Sequence, residues 1–259
     1  MGDINTLKNV LLFAVQNDCK EIHLSAGRLP LLINQTGQTK YLNGMLPMDK
    51  ELMEEISKRY ISNDENVITT IGEEEFLLMK MGDKLVFRHL CFVEPLKTVD
   101  PALSSACYGT KGLILVTSRS TELRSLHSYM TAAYITSSRN ITMAIIERHK
   151  SYKIKESGSN IMNIYNPNVE LDVLLRITGQ LRYDCLVVPD CSTEQALGIL
   201  ESYRHDKLVV AGTTPEISKT IDQSGIRYLM NVGEDGSVSK KTDTGLKINT
   251  DVIIQSLRG

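Results

Sequence analysis

The first part of the chain alternates short apolar runs with polar turns, and its apolar spacing changes from a helical to a strand period. Apolar residues recur at helical spacing from Ile4 to Val15, which predicts a helix over residues 4–17. Short strand-like runs with intervening turns then predict a small α+β unit. Its further predicted elements are strands 21–25 and 31–34, a helix over 50–60, and a hairpin of strands 75–81 and 84–92 about Gly82-Asp83.

From Lys111 onward, apolar strand-like runs alternate with helical patterns. This alternation predicts a mostly parallel sheet in a three-layer α/β architecture, on which ligands bind at the carboxyl ends of the strands. We expect a domain over residues 1–97, a linker over 98–111 with one helical turn, and a second domain over 112–259. The predicted elements are strands 113–117, 141–146, 185–188 and 208–211, and helices 123–135, 171–182 and 193–203.

The composition is that of an ordinary globular protein, with 42% hydrophobic residues, 23% charged residues and a formal net charge of −2. This balance gives no basic surface for nucleic acid. No apolar stretch approaches the roughly 20 residues of a membrane span, and no secretory signal precedes the first helix. We therefore expect a cytoplasmic protein without direct membrane insertion. Its five cysteines lack metal-type spacing, so we expect reduced thiols and no metal site.

Residues 112–127 have the strand–turn–helix frame of a phosphate-binding P-loop, G-x-x-x-x-G-K-[ST]. Counted from Ser118, this template places Leu123 at the second glycine, Arg124 at the lysine and Ser125 at the hydroxyl. Glycine allows the positive φ angles that bring backbone N–H groups to phosphates, and a Cβ disfavours them. Arginine does not replace lysine simply as a point charge. The frame is retained, and we expect the phosphate cradle to be lost.

Several segments follow one another in the order found in a known family. They are 18–30 (DCKEIHLSAGRLP) followed by Gly37, Phe87-Arg88, 108–117 (YGTKGLILVT), 181–188 (LRYDCLVV) and 208–213 (LVVAGT). On these segments the chain resembles the type IV pilus and secretion motor ATPases, most closely the PilT-like retraction ATPases. The resemblance covers residues 4–215. It implies a PAS-like N-terminal domain followed by a RecA-like, P-loop-type core, assembled as hexamers.

The departures from the family pattern fall at the predicted strand ends. Glu147 is the one carboxylate left in the acidic Asp box, and His149 is among the cationic residues that follow it. Asp190 stands one methylene shorter at the Walker B glutamate, and Pro215 replaces the histidine of the His box. Hydrolysis needs a phosphate cation, a metal ligand and a water-activating carboxylate together. We therefore predict a degenerate nucleotide site without bound ATP or Mg²⁺, comprising Ser118, Thr121, Leu123, Arg124, Ser125, Glu147, Asp190 and Pro215.

Arg124, Ser125 and Asp190 also have a plain structural explanation, which we favour. We expect Arg124 and Ser125 to lie in an exposed first turn of a helix, although a helix N-terminus still attracts anions. We expect Asp190 to cap the next helix, as Ser192 also can, rather than bind a metal ion. The basic run 147–155 is predicted to be a solvated surface hairpin rather than a site for an acidic partner or nucleic acid.

These patterns predict a catalytically inactive pseudo-ATPase that acts in binding, regulation or structure at a type IV pilus or type II secretion-like machine. Its expected partners are proteins of that machine, including active homologous motor ATPases, in a homo- or hetero-hexamer. Two alternatives stay open. One is a weak atypical ATPase that uses Arg124, Ser125, Glu147 and Asp190. The other is a small-ligand sensor or interaction module that reuses the N-terminal fold. The sequence assigns no role to residues 216–259 beyond strands and turns.

Overall fold

A computed structural model describes residues 4–34, 38–44, 47–61, 66–148, 150–155, 158–240 and 249–250. The chain divides into two compact units, an N-terminal unit of residues 1–91 and a C-terminal unit of residues 92–259. Gly37 and His149, two residues of the segments that resemble the motor ATPase family or depart from it, lie outside the described residues. The same holds for residues 241–248 and 251–259 of the C-terminal region.

The N-terminal unit is an antiparallel sheet of six strands in the order β3-β2-β1-β6-β5-β4. Both of its helices contribute to one hydrophobic core, in which Leu11 and Ile56 pack with Ile22, Phe76 and Phe87. The elements are α1 (Ile4–Gln16), β1 (Cys19–Ser25), β2 (Leu31–Asn34), β3 (Thr39–Tyr41), α2 (Lys50–Tyr60), β4 (Asn66–Ile71), β5 (Glu74–Met81) and β6 (Lys84–His89). The sequence pattern did not predict β3 and β4.

A polar cluster links the two central strands of this sheet. Arg88 on β6 donates to Glu21 on β1 through Nε at 2.9 Å and Nη2 at 2.6 Å, and His23 Nε2 lies 2.9 Å from the same carboxylate. Burial works against the charged form of Glu21. The Arg88 charge and these hydrogen bonds outweigh it and lower the pKa of the carboxyl group. His23 is therefore a structural member of the strand pair.

The C-terminal unit contains a sheet of eight strands in the order β11-β9-β12-β13-β8-β14-β15-β16. The strands from β11 to β14 are parallel, and β8, β12 and β13 are buried along their whole length. The elements are β7 (Phe92–Val93), α3 (Pro101–Tyr108), β8 (Gly112–Thr117), α4 (Thr121–Ser138), β9 (Thr142–Glu147), β10 (Lys153–Ile154), β11 (Asn160–Tyr165), α5 (Leu171–Thr178), β12 (Cys185–Val188), α6 (Glu194–Tyr203), β13 (Leu208–Thr213), β14 (Ile226–Val232), β15 (Val238–Lys240) and β16 (Asn249–Thr250). The predicted α/β class with a parallel-sheet core is confirmed.

Several element boundaries differ from the prediction. Helix α4 begins at Thr121, two residues before the predicted start, because Ser120 caps it. Helix α5 ends at Thr178 rather than at the predicted residue 182. The residue after Thr178 is Gly179, and glycine is a poor helix former. The described residues of the basic run form no hairpin, and Lys153-Ile154 instead pairs in parallel with Phe92-Val93. The stretch 98–111 contains α3, whose N–H groups are capped by the Asp100 carboxylate.

All five cysteines are free, and four of them are buried. None of the described helices is long and apolar enough to cross a membrane. The described residues beyond 216 form two short 3₁₀ turns, Ile217–Lys219 and Gln223–Gly225, and the strands β14 to β16.

Candidate functional site at the strand ends

The carboxyl ends of β8, β12 and β13 are tied together by short backbone contacts. Ser118 N donates to Thr213 O at 3.1 Å, and Cys191 N donates to Gly212 O at 2.6 Å. A Cβ on Gly212 would lie 2.0 Å from the carbonyl oxygen of Pro189, so only glycine fits there. These contacts hold the three strand ends in one crevice, where a parallel α/β sheet presents its ligand site.

A three-residue turn connects β8 to α4. The Ser120 hydroxyl accepts from Leu123 N at 3.3 Å, and the Ser118 hydroxyl accepts from Ser120 N at 3.2 Å. This is an N-cap, which satisfies a donor of the first helical turn. Thr121 and Leu123, two positions where the family has glycines, therefore lie inside the helix. The backbone here is a capped helix start rather than an extended phosphate loop.

We expect Ser120→Ala to lower the free energy of unfolding by about 1 kcal/mol, because the capping oxygen for Leu123 N is lost. Urea denaturation of both proteins measures the difference. The control is Thr121→Ala, which alters the exposed neighbouring side chain and leaves the cap in place. An unchanged unfolding midpoint for Ser120→Ala would show that the turn does not depend on this cap.

Arg124 lies in the first turn of α4, but its side chain is buried, with 5% of its surface exposed. The prediction of an exposed residue is therefore wrong. Its guanidinium donates to Asp190 Oδ1 through Nε at 2.7 Å, and Nη2 lies 2.6 Å from the same oxygen in an ion pair. Nη1 donates to the carbonyl oxygens of Ser118 and Arg119, each at 3.3 Å. All three guanidinium nitrogens thus bind groups of the protein itself.

Asp190 does not cap helix α6, which corrects the second structural expectation. The cap is Thr193, whose hydroxyl accepts from Ala196 N at 3.2 Å. Asp190 instead faces Arg124 across the crevice, and its side chain is 36% exposed. The family comparison had placed these two residues at the phosphate lysine and at the Walker B glutamate. In the structure they neutralise each other.

Ser125 and the loop that contains Pro215 complete the crevice. Ser125 is buried, and its hydroxyl lies 3.5 Å from the Pro189 carbonyl oxygen. Glu216, next to Pro215, lies 3.5 Å from Arg119 in an exposed ion pair. The structure therefore brings most of the predicted site residues to one place. Those that meet around the strand ends are Ser118, Arg124, Ser125 and Asp190, with Pro215 beside them.

Glu147 belongs to a separate buried cluster. Its Oε1 accepts from the Tyr129 hydroxyl at 2.5 Å and from Ser151 N at 3.3 Å. Its Oε2 is buried and has no hydrogen-bond partner among the described residues. Burial raises the pKa of Glu147 to about 7, and hydrogen bonds from Tyr129 and Ser151 oppose the shift. Burial likewise raises the pKa of Tyr129 well above its ordinary value.

Two further side chains of this region were missed by the sequence analysis. Tyr152 donates its hydroxyl to Glu122, and its ring meets that of Tyr129 edge-on with centroids 5.5 Å apart. His127 Nδ1 donates to Leu123 O at 2.9 Å, its Nε2 is buried without a partner in the described ranges, and burial lowers its pKa. The available signal for His127 was the helix itself, which carries many polar residues although it follows the apolar run 113–116.

The arrangement offers little free chemistry at the strand ends. The Arg124 nitrogens are engaged within the protein, and no N–H cradle precedes the helix. Within the described ranges, no three His, Cys, Asp or Glu side chains are grouped so as to hold a metal ion. Arg124 is therefore not a free cation for phosphate, and the backbone that follows β8 begins a capped helix; both features differ from a P-loop.

No protein-family model matches the chain, and no curated protein matches it by sequence. Solved structures do match in fold. The pilus retraction motor PilT with bound ADP is 16% identical, with a TM-score of 0.68 over 96% of this chain and 84% of that one. The ATPase DotB of Yersinia pseudotuberculosis is 12% identical, with a TM-score of 0.65 over 100% of this chain and 83% of its own. DotB of Legionella pneumophila is 11% identical, with a TM-score of 0.64 over 98% and 83%.

At these identities the likeness concerns the fold. The sheet-rich N-terminal part and the parallel-sheet core of this chain match the architecture of the PilT and DotB ATPases. The predicted resemblance is therefore confirmed at the level of fold. The chemistry of the strand ends has to be argued from the residues of this chain.

Proposed function

We propose that this chain is a pseudo-ATPase of the pilus and secretion motor type, which keeps the motor fold and does not hydrolyse ATP. Its role is then binding, regulation or structure at a type IV pilus or type II secretion-like machine. The matched motors include one named for pilus retraction and crystallised with ADP, which supports this choice of machine. Partners are proteins of the machine, including active motor ATPases of the same fold.

One observation carries the proposal: the Arg124–Asp190 ion pair. The cation at the phosphate-lysine position is buried and bound to the carboxylate at the Walker B position, at 2.6 Å. A phosphate would have to displace Asp190 and two backbone carbonyls from a buried guanidinium. Asp190 is partly exposed, but breaking the pair would leave the buried guanidinium without its carboxylate, which is costly. The pair thus closes the site that an active motor leaves open for nucleotide.

The backbone supports the same conclusion. A P-loop holds phosphates with consecutive N–H groups, and its glycines supply the backbone freedom. In this chain a turn of three residues separates β8 from the helix, and the Ser120 hydroxyl accepts a hydrogen bond from Leu123 N. The Leu123 N–H in the first turn of α4 therefore binds a group of the protein rather than a phosphate.

The retained fold suggests how such a protein would act. The family resemblance implies hexameric assembly, so a subunit that keeps the architecture and lacks turnover can join a hexamer of its own or one with active homologues. Inside a mixed ring it would occupy a subunit position without contributing hydrolysis. Co-purification with motor subunits, and the size of the resulting assembly, test this part of the proposal separately from the chemistry.

The chemistry is tested by calorimetric titration of the purified chain with ATP and with ADP in Mg²⁺, with phosphate release followed in parallel. We expect no heat of binding and no phosphate, because Arg124 is already paired. An active motor of the same fold is the positive control.

Mg²⁺-dependent turnover that disappears in Asp190→Asn would contradict the proposal and establish the weak-ATPase alternative. Tight binding without turnover would also contradict a closed site and indicate a nucleotide-gated regulator. Turnover that is the same in Asp190→Asn as in the parent would point to a contaminating enzyme, which repurification removes before the titration is scored.

A further inference from the structure

The strand β11 (Asn160–Tyr165) lies at the edge of the eight-stranded sheet and pairs only with β9 in the described part of the chain. Its sequence, N-I-M-N-I-Y, contains no charged residue and no proline. Exposed sheet edges usually carry such residues, or bulges, because their free backbone groups pair with other strands. The edge formed by β11 therefore has none of the usual sequence protection against strand pairing.

The backbone geometry shows which groups face outward. Asn160 N donates to Ile141 O on the β9 side at 3.0 Å, and the register pairs Asn160 with Thr142. Inward and outward groups alternate along a strand of a parallel pair. The N–H and C=O groups of Ile161, Asn163 and Tyr165 therefore point away from the sheet.

Helix α5, which contacts β9, exposes an apolar flank. The side chains of Val173 and Ile177 are 42% and 63% exposed. Helix α6 contacts the other side of α5, where Gln195 donates to Asp172 at 3.0 Å and Tyr203 donates to the carbonyl oxygen of Leu175 at 2.9 Å. At 100° per residue, Val173 and Ile177 lie on the flank opposite these contacts. That flank faces the β11 side of the sheet, because α5 connects β11 to β12 and α6 lies further in.

We infer that this edge is where two copies of the chain pair, with β11 antiparallel to β11 of the second copy. Asn163 is the middle one of the three residues whose backbone groups face outward, and Ile161 and Tyr165 lie two positions to either side of it. A two-fold axis through Asn163 places it opposite Asn163 of the second copy and Ile161 opposite Tyr165 of the second copy. Each such pair exchanges two main-chain hydrogen bonds. The result is one continuous sheet through both molecules.

The side chains fit the same two-fold axis. On the α5 face, Met162 comes opposite Ile164 of the second copy, and both are partly buried residues packed against the core beneath α5. On the other face, Ile161 meets Tyr165 of the second copy, an aliphatic–aromatic pair of the kind that stabilises antiparallel strands. No like charges face each other, because the strand has none. This self-complementarity favours a second copy over a foreign strand, since a two-fold contact uses the same patch on both molecules.

Sedimentation velocity of the full chain over a concentration series tests the inference. The parent should form dimers, and Asn163→Lys should shift the population to monomers, with at least about a tenfold higher dissociation constant. Two lysines then face each other at the symmetry axis, whereas the exposed position tolerates the side chain in the monomer. The matched control is Asn160→Lys, which places the same charge on the same strand away from the axis and should leave the dimer intact.

A monomeric parent at all concentrations would overturn the inference. An assembly whose mass is the same in the parent and in Asn163→Lys would also overturn it, because a ring built through other surfaces does not use this edge. Circular dichroism and the urea midpoint of each variant establish that the lysine has not unfolded the chain.

A crosslink gives the register directly. Hydrogen-bonded antiparallel residues lie about 5.5 Å apart at Cα, within the range of about 4.4–6.8 Å that disulfides span. Asn163→Cys should therefore form a covalent dimer under mild oxidation, seen on a non-reducing gel. Asn160→Cys should not, because it is displaced from the symmetry axis, and the parent controls for its own thiols. Equal crosslinking of the two cysteine variants, or none in Asn163→Cys, would refute this register.

Discussion

Replacing Asp190 by alanine should lower the free energy of unfolding by about 3 kcal/mol. The substitution leaves the Arg124 guanidinium, whose side chain is only 5% exposed, without the carboxylate that accepts the Nε hydrogen bond and pairs with Nη2. Removing one member of a buried ion pair costs about 3–5 kcal/mol. The lower end applies here because Asp190 is itself 36% exposed, which lets water approach the pair. Urea denaturation of the parent and the variant at neutral pH measures the loss.

The matched control is Arg124→Met, which removes the buried charge and fills most of its volume. Asp190 then remains at a site that water reaches, so the expected loss is less than half of that in Asp190→Ala. The double variant, Arg124→Met with Asp190→Ala, should recover part of the Asp190→Ala loss, because no buried charge is left unpaired. If Arg124→Met were the more damaging change, the guanidinium would be held by its carbonyl contacts rather than by Asp190.

This asymmetry bears on function as well as on stability. In an active P-loop enzyme the lysine of the loop binds the phosphates of the nucleotide. In this chain Asp190 and two backbone carbonyl groups already bind Arg124 in the folded state. The contacts that a nucleotide phosphate would make with this cation are therefore made within the protein. A measured loss in Asp190→Ala would show that this crevice contributes to holding the C-terminal unit together. The proposed loss of ATP hydrolysis leads to the same expectation.

The strands that carry the site could be predicted from sequence because they are continuous apolar runs. Residues 113–117 and 185–188 are buried throughout and needed only the hydrophobic pattern. Strands β11 and β14 were missed because polar residues interrupt their apolar runs, and no residue of β11 is fully buried. The start of α4 was missed by two residues because its capping serine lies beyond the periodic apolar positions.

The contacts inside the site were beyond the reach of the pattern. Arg124 and Asp190 are 66 residues apart, and their pairing depends on how α4 crosses the end of β12. The sequence placed both residues at the strand ends, but it could not show that a helical arginine would turn inward. The burial of Glu147 had no local signal either, because Tyr129 from α4 and Ser151 from the following segment enclose it.

Replacing Glu147 by glutamine should stabilise the chain above neutral pH and remove a pH dependence that the parent shows. Burial raises the pKa of this carboxyl from 4.5 to about 7 in the folded state. Between those values the folded chain holds a proton that the unfolded chain has released. Parent stability therefore falls as pH rises through this window and levels off above it. A shift of this size corresponds to about 3 kcal/mol at pH 8, as an upper estimate.

Urea denaturation of the parent and Glu147→Gln from acid to mildly alkaline pH measures the difference between them. The two should be similarly stable at low pH, where Glu147 is protonated, and should separate as pH passes through the window. Glu55→Gln, at an exposed position on α2, controls for the loss of one carboxylate and should follow the parent at every pH. A Glu147→Gln curve parallel to that of the parent would mean that this carboxylate is ionised in the folded chain. Its Oε2 would then need a partner outside the described residues, since it has none among them.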